Sequence, residues 1–238
     1  MAGDSFRQFS MMHLLSVATA ALVVVGLCVV GSRAARGADR RRLRRALGWA
    51  ALGLWGAVQA LWLAPGSFDA ASSLPLHVCD LAGLVAALAF LTDRRAFRTI
   101  LYFWGIALST QGFVTPILTE GPGSPFFWTF WISHTINVGY AVYDIAVDGF
   151  RPGFRDLRFA LGVTACSVAL MFVLDALTGW NYAYVGPSAA DQPTLVDALG
   201  PYPWRVVPIC GIGIAAFVVA WLPWEVIRRR ARVSGARG

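Results

Sequence analysis

The sequence predicts an all-α polytopic membrane protein with seven transmembrane helices, an outer N-terminus and a cytoplasmic C-terminus. The chain of 238 residues is 57% hydrophobic and only 14% charged, whereas soluble domains carry about 25% charged residues. Its apolar residues are gathered in long stretches, and its basic residues cluster between alternate stretches. The composition excludes a water-soluble globule, and the apolar content excludes a disordered chain.

Seven apolar stretches reach or approach the roughly 20 residues that a helix needs to cross a bilayer. They are too long and too continuously apolar for barrel strands. They must therefore be helices, whose backbone N–H and C=O groups are hydrogen-bonded within the segment in lipid. Short segments rich in Gly, Pro or Arg separate them. The predicted spans are residues 13–31, 46–64, 74–91, 99–118, 126–147, 159–178 and 206–226. A short outer segment (1–12) precedes this seven-helix membrane domain (13–227), and a basic cytoplasmic tail (228–238) follows it.

The arginines predict the orientation of the spans. All twenty basic residues are Arg, and the net charge is +7. The segments after spans 1, 3, 5 and 7 carry seven, three, three and five of them, which places eighteen on one side. That side is cytoplasmic by the positive-inside rule, and the arginines after span 1 indicate that it is retained, not cleaved as a signal peptide. A multi-pass protein of the bacterial plasma membrane is expected.

The arginine run at 40–45 also resembles a nucleic-acid-binding patch, but we interpret it as charge facing anionic lipid of the inner leaflet. The expected partners are therefore membrane lipids and no nucleic acid. The absence of Lys excludes Schiff-base chemistry and a P-loop. No cysteine lies in an outer loop, so no disulfide framework is predicted.

Ionisable residues inside membrane spans are costly and by default mark a functional site. All three histidines and one cysteine fall in the predicted outer half of the bundle. The candidates in this outer half are His13, His77, Cys79, Asp80, Gln111 and His134. On span 3, His77 and Asp80 are three residues apart and can touch, whereas Cys79 lies about 100° around the helix from Asp80.

Span 5 carries a polar face. Its residues His134, Asn137, Ala141 and Asp144 follow i, i+3, i+7, i+10 spacing. A polar stripe on a membrane helix is expected to face the bundle interior. Asp144, near the cytoplasmic end, can reach water or a neighbouring Arg.

These residue types permit nucleophilic acyl transfer, in which a thiol attacks an acyl carbon and a histidine within hydrogen-bond reach takes its proton. Cys79 with His134 or His77 could supply such a pair. The residues alone leave three alternatives open: a structural polar cluster that holds helices together, a histidine-rich metal or haem site, and a transport path.

The last outer loop, 179–205, is rich in Trp and Tyr, which suits the aromatic belt at a membrane interface. The functional alternative is a lid over an outer cavity, with Asn181 and Asp197 pointing inward. Segment 193–200 is mildly amphipathic and could lie flat on the membrane.

Several motifs carry a family resemblance. They read FSMMHLL (9–15), LPLHVCDLAGLVAALAFLT (74–92), LYFWGIALSTQGFVTP (101–116), FWTFWISHTINV (127–138), and GWNYAYV with LVDALGPYPW (179–185, 195–204). Together they resemble the YwaF-like family of bacterial integral membrane proteins. The arrangement of a Cys in one span and a His in a later span is also similar to a eukaryotic transmembrane phospholipid acyltransferase.

The resemblance implies an outward-facing lipid acyltransferase or lipid hydrolase without a cofactor. It implies Cys79 as the nucleophile and His134 as the base. We expect support from His77, Asp80, His13, Gln111, Asn137 and Asn181.

Two other functions stay open on the sequence. A zinc-dependent membrane hydrolase would use the three histidines as ligands and a water in the fourth position. The second open function is that of a non-enzymatic small-solute transporter or sensor. Against a transporter, the chain shows no internal repeat and no Pro-Gln pair of the kind found in small sugar carriers. Confinement of the polar residues to the outer half also disfavours a path through the membrane.

Overall fold

The computed structural model describes residues 5–34, 38–188 and 195–235. Their regular structure is helical, with one isolated β-bridge between Ser5 and Glu120. The α-helices are α1 (Met11–Arg33), α2 (Ala38–Trp62), α3 (Val78–Thr92), α4 (Arg95–Tyr102), α5 (Gln111–Val114), α6 (Pro125–Ala146), α7 (Phe154–Thr178) and α8 (Val206–Gly235). A π-helix (Phe103–Ser109) lies between α4 and α5, and two short 3₁₀ segments (Tyr182–Tyr184 and Leu195–Leu199) lie between α7 and α8.

The chain divides into two compact units, each described by itself. Unit 1 (Met1–Phe150) contains α1 to α6, and unit 2 (Arg151–Gly238) contains α7, α8 and the loop between them. In unit 2, α7 packs against α8.

Local signals in the sequence set several helix ends. The Ser10 hydroxyl accepts a hydrogen bond from the backbone of His13 and caps α1. Ser124 caps α6 in the same way, and Pro125 occupies the first helical position, where its missing N–H costs nothing. Helix α7 ends at Gly179, whose φ of +77° is the left-handed conformation that suits glycine.

Helix α3 forms the centre of unit 1, where it packs against α2, α4, the π-helix and α6. Its buried side is made of small residues: Ala82, Gly83, Ala86, Ala87 and Ala89. Small residues let neighbouring helix backbones approach closely, which is how helices associate in membranes. At 15 residues and 1.5 Å per residue, the helix is about 22 Å long.

The stretch predicted as span 4 is helical but not uniform. Residues 95–102 are α-helical, Phe103–Ser109 form a π-helix, and a last short turn, Gln111–Val114, ends four residues before the predicted boundary at 118. Inserted π turns are frequent at functional sites. This segment places Gly112 and Phe113 beside the candidate residues of α1 and α6.

Arg44 lies at the centre of a buried ionic cluster in unit 1. Its guanidinium donates to Asp144 at 2.9 Å and to the Ala89 carbonyl at the end of α3 at 2.9 Å, and it also pairs with Asp148. Burial lowers the pKa of Arg44, but the hydrogen bond to Asp144 and the charges of Asp144, Asp148 and Asp93 raise it overall.

The cluster is electrically balanced. Arg98 binds the second carboxylate oxygen of Asp144 at 2.9 Å, and Arg40 binds Asp148 at 3.0 Å. Three arginines thus face three aspartates: Arg40, Arg44 and Arg98 against Asp93, Asp144 and Asp148. The expectation that Asp144 reaches an arginine is confirmed, and Arg40 and Arg44 of the 40–45 run both pair with aspartates.

The all-helical membrane class is confirmed. Among the described helices, Met11–Arg33 and Phe154–Thr178 are long and apolar enough to cross a membrane, as is the Val206–Ser234 part of α8. Val78–Thr92 is a shorter apolar helix. Helix α2 begins at Ala38, just before the arginine run at 40–45 and eight residues before the predicted start at 46. Its charged first turns are helical and supply Arg40 and Arg44 to the ionic cluster.

Candidate functional site

Cys79 lies in the first turn of α3, two residues after the N-terminal capping residue His77. Its thiol donates to the Asp80 carboxylate, with a separation of 3.9 Å between Sγ and Oδ1. Although Cys79 and Asp80 point about 100° apart around the helix axis, their side chains are therefore in contact. The Cys79 carbonyl accepts a hydrogen bond of 2.8 Å from the Asn137 side-chain amide of α6.

Cys79 lines a small cavity. Its volume of about 10 Å³ is room for roughly one water molecule. Helices α2, α3 and α6 form its walls, and the lining residues are Ala51, Leu54, Trp55, Gln59, Cys79, Asp80, Gly83, Ser133 and Ile136. Gly83 keeps the wall compact, because a Cβ at this position would lie only 3.0 Å from the Trp55 ring.

Gln59 is a site residue that the sequence analysis missed. Its side chain is buried at 7% exposure and lines the cavity with Cys79. The signal was present, since Gln59 is the one amide, hydroxyl or ionisable side chain in the predicted span 46–64. Ser133, which also lines the cavity, immediately precedes His134 and was not among the candidates either.

The polar face of α6 is buried as predicted. Asn137, Ala141 and Asp144 are at most 2% exposed, and His134 is 8% exposed. His134 Nδ1 lies 2.9 Å from the Phe130 carbonyl of its own helix. Because a carbonyl oxygen can only accept, Nδ1 carries the proton and Nε2 keeps its lone pair in the neutral ring.

The neighbours of the His134 ring hold it in place. Phe130 stacks on it with a centroid separation of 4.2 Å. On the other side Gly112 faces the ring so closely that a Cβ there would come within 2.6 Å of Nε2. In the part of the chain that the structure describes, Nε2 has no hydrogen-bond partner, so it is available as a proton acceptor.

The structure does not join Cys79 and His134 by a hydrogen bond. The thiol bonds to Asp80, and the imidazole bonds to Phe130. What connects them is Asn137, which donates to the Cys79 carbonyl and lies one helical turn from His134 on the same face of α6.

His13 is buried and uses both ring nitrogens. Nδ1 accepts from the Phe9 backbone N–H at 3.0 Å, so Nε2 carries the proton and donates to the Phe113 carbonyl at 3.0 Å. Its ring is packed among Phe6, Phe9 and Trp131. His13 therefore fastens the start of α1 to α5, next to the glycine that contacts His134.

The other candidates have hydrogen bonds of their own. Gln111 is exposed and donates to Thr115 one turn later in the chain. His77 precedes α3, and its carbonyl accepts from Asp80 N at 3.0 Å. Asn181 lies in unit 2, where its side-chain oxygen accepts from the Gly186 backbone at 3.0 Å, and Asp197, the other lid candidate, pairs with Arg205.

The three histidines are not gathered into a metal site. The described residues, which include all three, contain no group of three His, Cys, Asp or Glu side chains that could hold a metal ion. His13 also has no ring nitrogen free for a metal, because backbone groups occupy both. The arrangement expected for a three-histidine zinc hydrolase is thus not formed here.

A scan against protein-family models matches the TMEM164 family, a family of transmembrane proteins, over residues 8–221. Comparisons with curated proteins and with solved structures give no match. The matched segment covers α1 to α7 and most of α8, including every candidate residue named above. The chain is therefore a multi-pass membrane protein that belongs to the TMEM164 family.

Proposed function

We propose that this protein is a lipid acyltransferase or lipid hydrolase in which Cys79 is the nucleophile and His134 is the general base. The observation that carries the proposal is the 2.8 Å hydrogen bond from Asn137 to the Cys79 carbonyl. It ties the thiol-bearing turn of α3 to the face of α6 that holds His134. The likeness to a transmembrane phospholipid acyltransferase, argued from the sequence, points to the same pair.

The proposed reaction has two balanced steps. In the first, His134 Nε2 takes the thiol proton while Sγ attacks the acyl carbon of a lipid ester. The tetrahedral intermediate then expels the lipid alkoxide, which receives that proton and leaves a thioester on Cys79. In the second, a lipid hydroxyl or a water gives its proton to His134 and attacks the thioester carbon. The carbon–sulfur bond breaks, and the departing thiolate takes the proton back from His134. A lipid acceptor gives transfer, and water gives hydrolysis.

The remaining candidates have positioning roles in this proposal. Asp80 holds the thiol by accepting from it, and Asn137 fixes the backbone that carries it. His77 lies immediately before α3, and its carbonyl accepts a hydrogen bond from the Asp80 backbone in the first turn of that helix. His13 supports the α5 segment that contacts His134.

The proposed site requires a defined place in the membrane. We place the seven predicted spans in a bacterial plasma membrane with the N-terminus outside, so that Cys79, His134 and His13 lie in the outer half. Gln111 and the loop of Asn181 would then lie near the outer surface. The balanced ionic cluster of α2, α3, α4 and α6 would lie toward the cytoplasm, where the arginines concentrate.

The experiment compares variants of the purified protein in lipid nanodiscs that contain a phospholipid with a fluorescent acyl chain. Cys79→Ala and His134→Asn are expected to abolish acyl release or transfer. Cys166→Ala is the matched control, because it removes an exposed thiol from α7 in unit 2. If Cys79→Ala processes the lipid as fast as the wild type, Cys79 is not the nucleophile.

A further inference from the structure

Two polar side chains in the wall of the Cys79 cavity lack a hydrogen-bond partner. The Gln59 amide of α2 and the Ser133 hydroxyl of α6 both line the cavity, and in the part of the chain that the structure describes neither side chain forms a hydrogen bond. Gln59 is 93% buried, since its exposure is 7%. An amide on a mostly buried residue, with no partner in the described protein, can bind a polar group that enters the cavity.

These two side chains supply the hydrogen-bond donors of the cavity wall that are not already used by another protein group. Trp55 is a donor in the same wall, but its indole N–H already binds the Asp80 carbonyl at 2.9 Å. The Asp80 carboxylate is an acceptor and already receives the Cys79 thiol. The other walls are apolar: Ala51, Leu54, Gly83 and Ile136. The cavity thus presents one amide and one hydroxyl donor beside a nucleophile.

The size of the cavity indicates what these donors bind. A volume of about 10 Å³ accepts one oxygen-sized group and excludes an acyl chain or a headgroup. When a thiol attacks an ester, the carbonyl oxygen is the single atom that must lie close to the sulfur and that gains negative charge. Such charge is stabilised by donors already in place.

Resting on the proposed function, we infer that Gln59 and Ser133 form an oxyanion site for the acyl carbonyl that Cys79 attacks. As the carbon–sulfur bond forms, the carbonyl electron pair moves onto the oxygen, which accepts hydrogen bonds from the Gln59 amide and the Ser133 hydroxyl. When the intermediate collapses, the pair returns to re-form the carbonyl and the lipid alkoxide leaves with the proton from His134. Both residues touch the reacting oxygen and are therefore catalytic.

The test compares two reactions of the same thiol. Acylation of Cys79 by p-nitrophenyl octanoate passes through an oxyanion, whereas alkylation by iodoacetamide displaces iodide and does not. Both rates are measured at Cys79 by mass spectrometry of its peptide, in the full-length protein in detergent. Removing one oxyanion donor typically slows acyl chemistry by about 10²–10³-fold.

Gln59→Leu and Ser133→Ala are each expected to slow acylation by about that factor and to leave alkylation within about twofold. Gln59→Met, which keeps the approximate size of the side chain but has no donor, is expected to slow acylation at least as much. Thr135→Val is the matched control, since the Thr135 hydroxyl bonds to the Trp131 carbonyl of its own helix and not to the cavity. It is expected to leave both rates unchanged.

Two results would overturn the oxyanion site. Acylation at the wild-type rate in both Gln59 variants would show that no donor is needed there. An equal fall of acylation and alkylation would show that Gln59 only maintains the shape of the cavity. Failure of the underlying proposal is recognised separately, because the wild-type Cys79 would then be alkylated but never acylated.

Discussion

At the scale of single residues, His13 and His134 are both buried, but their hydrogen bonds leave them with different chemistry. His13 receives a backbone N–H on one nitrogen and donates to a carbonyl with the other. His134 has a backbone partner at Nδ1 and an unpartnered Nε2. A base needs an accessible lone pair, and His134 has one where His13 does not.

His13→Ala is expected to destabilise the protein. The substitution leaves the Phe9 N–H and the Phe113 carbonyl without partners, and an unsatisfied buried group costs about 1–3 kcal/mol. Thermal unfolding in detergent would measure the loss. Met11→Ala in the same helical turn is the control, since Met11 is 70% exposed. Equal unfolding temperatures for His13→Ala and the wild type would mean that the two hydrogen bonds contribute nothing to stability.

Gly112→Ala is expected to impair the proposed acyl transfer without unfolding the chain. A Cβ at this position would lie 2.3 Å from His134 Cδ2 and 2.6 Å from Nε2, so the imidazole must move. Misplacing a catalytic group by about 1 Å can cost about 10²-fold in rate. The measurement is turnover of the fluorescent lipid in nanodiscs.

The control for Gly112→Ala is Gly162→Ala in α7, where the added Cβ would meet no atom within 4 Å. It is expected to retain wild-type turnover. An active Gly112→Ala protein would argue against His134 as the base, because the ring cannot stay where it is.

Part of the site could be predicted at this scale and part could not. Helical spacing alone placed His134, Asn137 and Asp144 on one inward face, because that relation is local. The hydrogen bond of His13 to Phe113 joins residues 100 positions apart, and no local pattern encodes such a contact. Gln59 was detectable as a polar residue in an apolar span, but its cavity depends on how three helices pack.

At the scale of helices, the ionic cluster explains how α2, α4 and α6 are held together around α3. Asp144 receives one arginine from α2 and one from α4, and Arg44 also binds the last turn of α3 through Ala89. The charges cancel within the cluster, so it can be buried. The sequence predicted Arg40 and Arg44 as topological signals, because Asp144 and Asp148, with which they pair, lie about 100 residues away.

Asp144→Asn is expected to be strongly destabilising. The substitution removes the negative charge that pairs with both Arg44 and Arg98. Asp144 is only 2% exposed, and breaking a buried ion pair costs about 3–5 kcal/mol. Urea unfolding in detergent, followed by Trp fluorescence, would report the loss. Glu225→Gln in α8 is the control, because its arginine partners lie on its own helix. A small effect of Asp144→Asn would mean that the cluster is not a principal tie between these helices.

At the scale of the whole molecule, the membrane class followed from composition, while the helix boundaries depended on packing. Three described segments are long and apolar enough to cross a membrane on their own. The other predicted spans hold a π-helical turn or polar residues in unit 1, among them Gln59, Asp80 and His134. Some of these polar groups bind neighbouring helices, as Asn137 binds the Cys79 carbonyl, and such contacts cannot be predicted from hydropathy.

The orientation gives the last prediction. With eighteen of twenty arginines after odd-numbered spans, a C-terminal green fluorescent protein is expected to fluoresce and a C-terminal alkaline phosphatase to be inactive. In the predicted seven-span topology residue 123 lies on the outer side, between spans 4 and 5, so the phosphatase fused after it should be active. The fusion after residue 150, between spans 5 and 6, should be inactive. An active phosphatase at the C-terminus would reverse the orientation and place the Cys79 cavity in the cytoplasmic half, where it would meet inner-leaflet lipids instead.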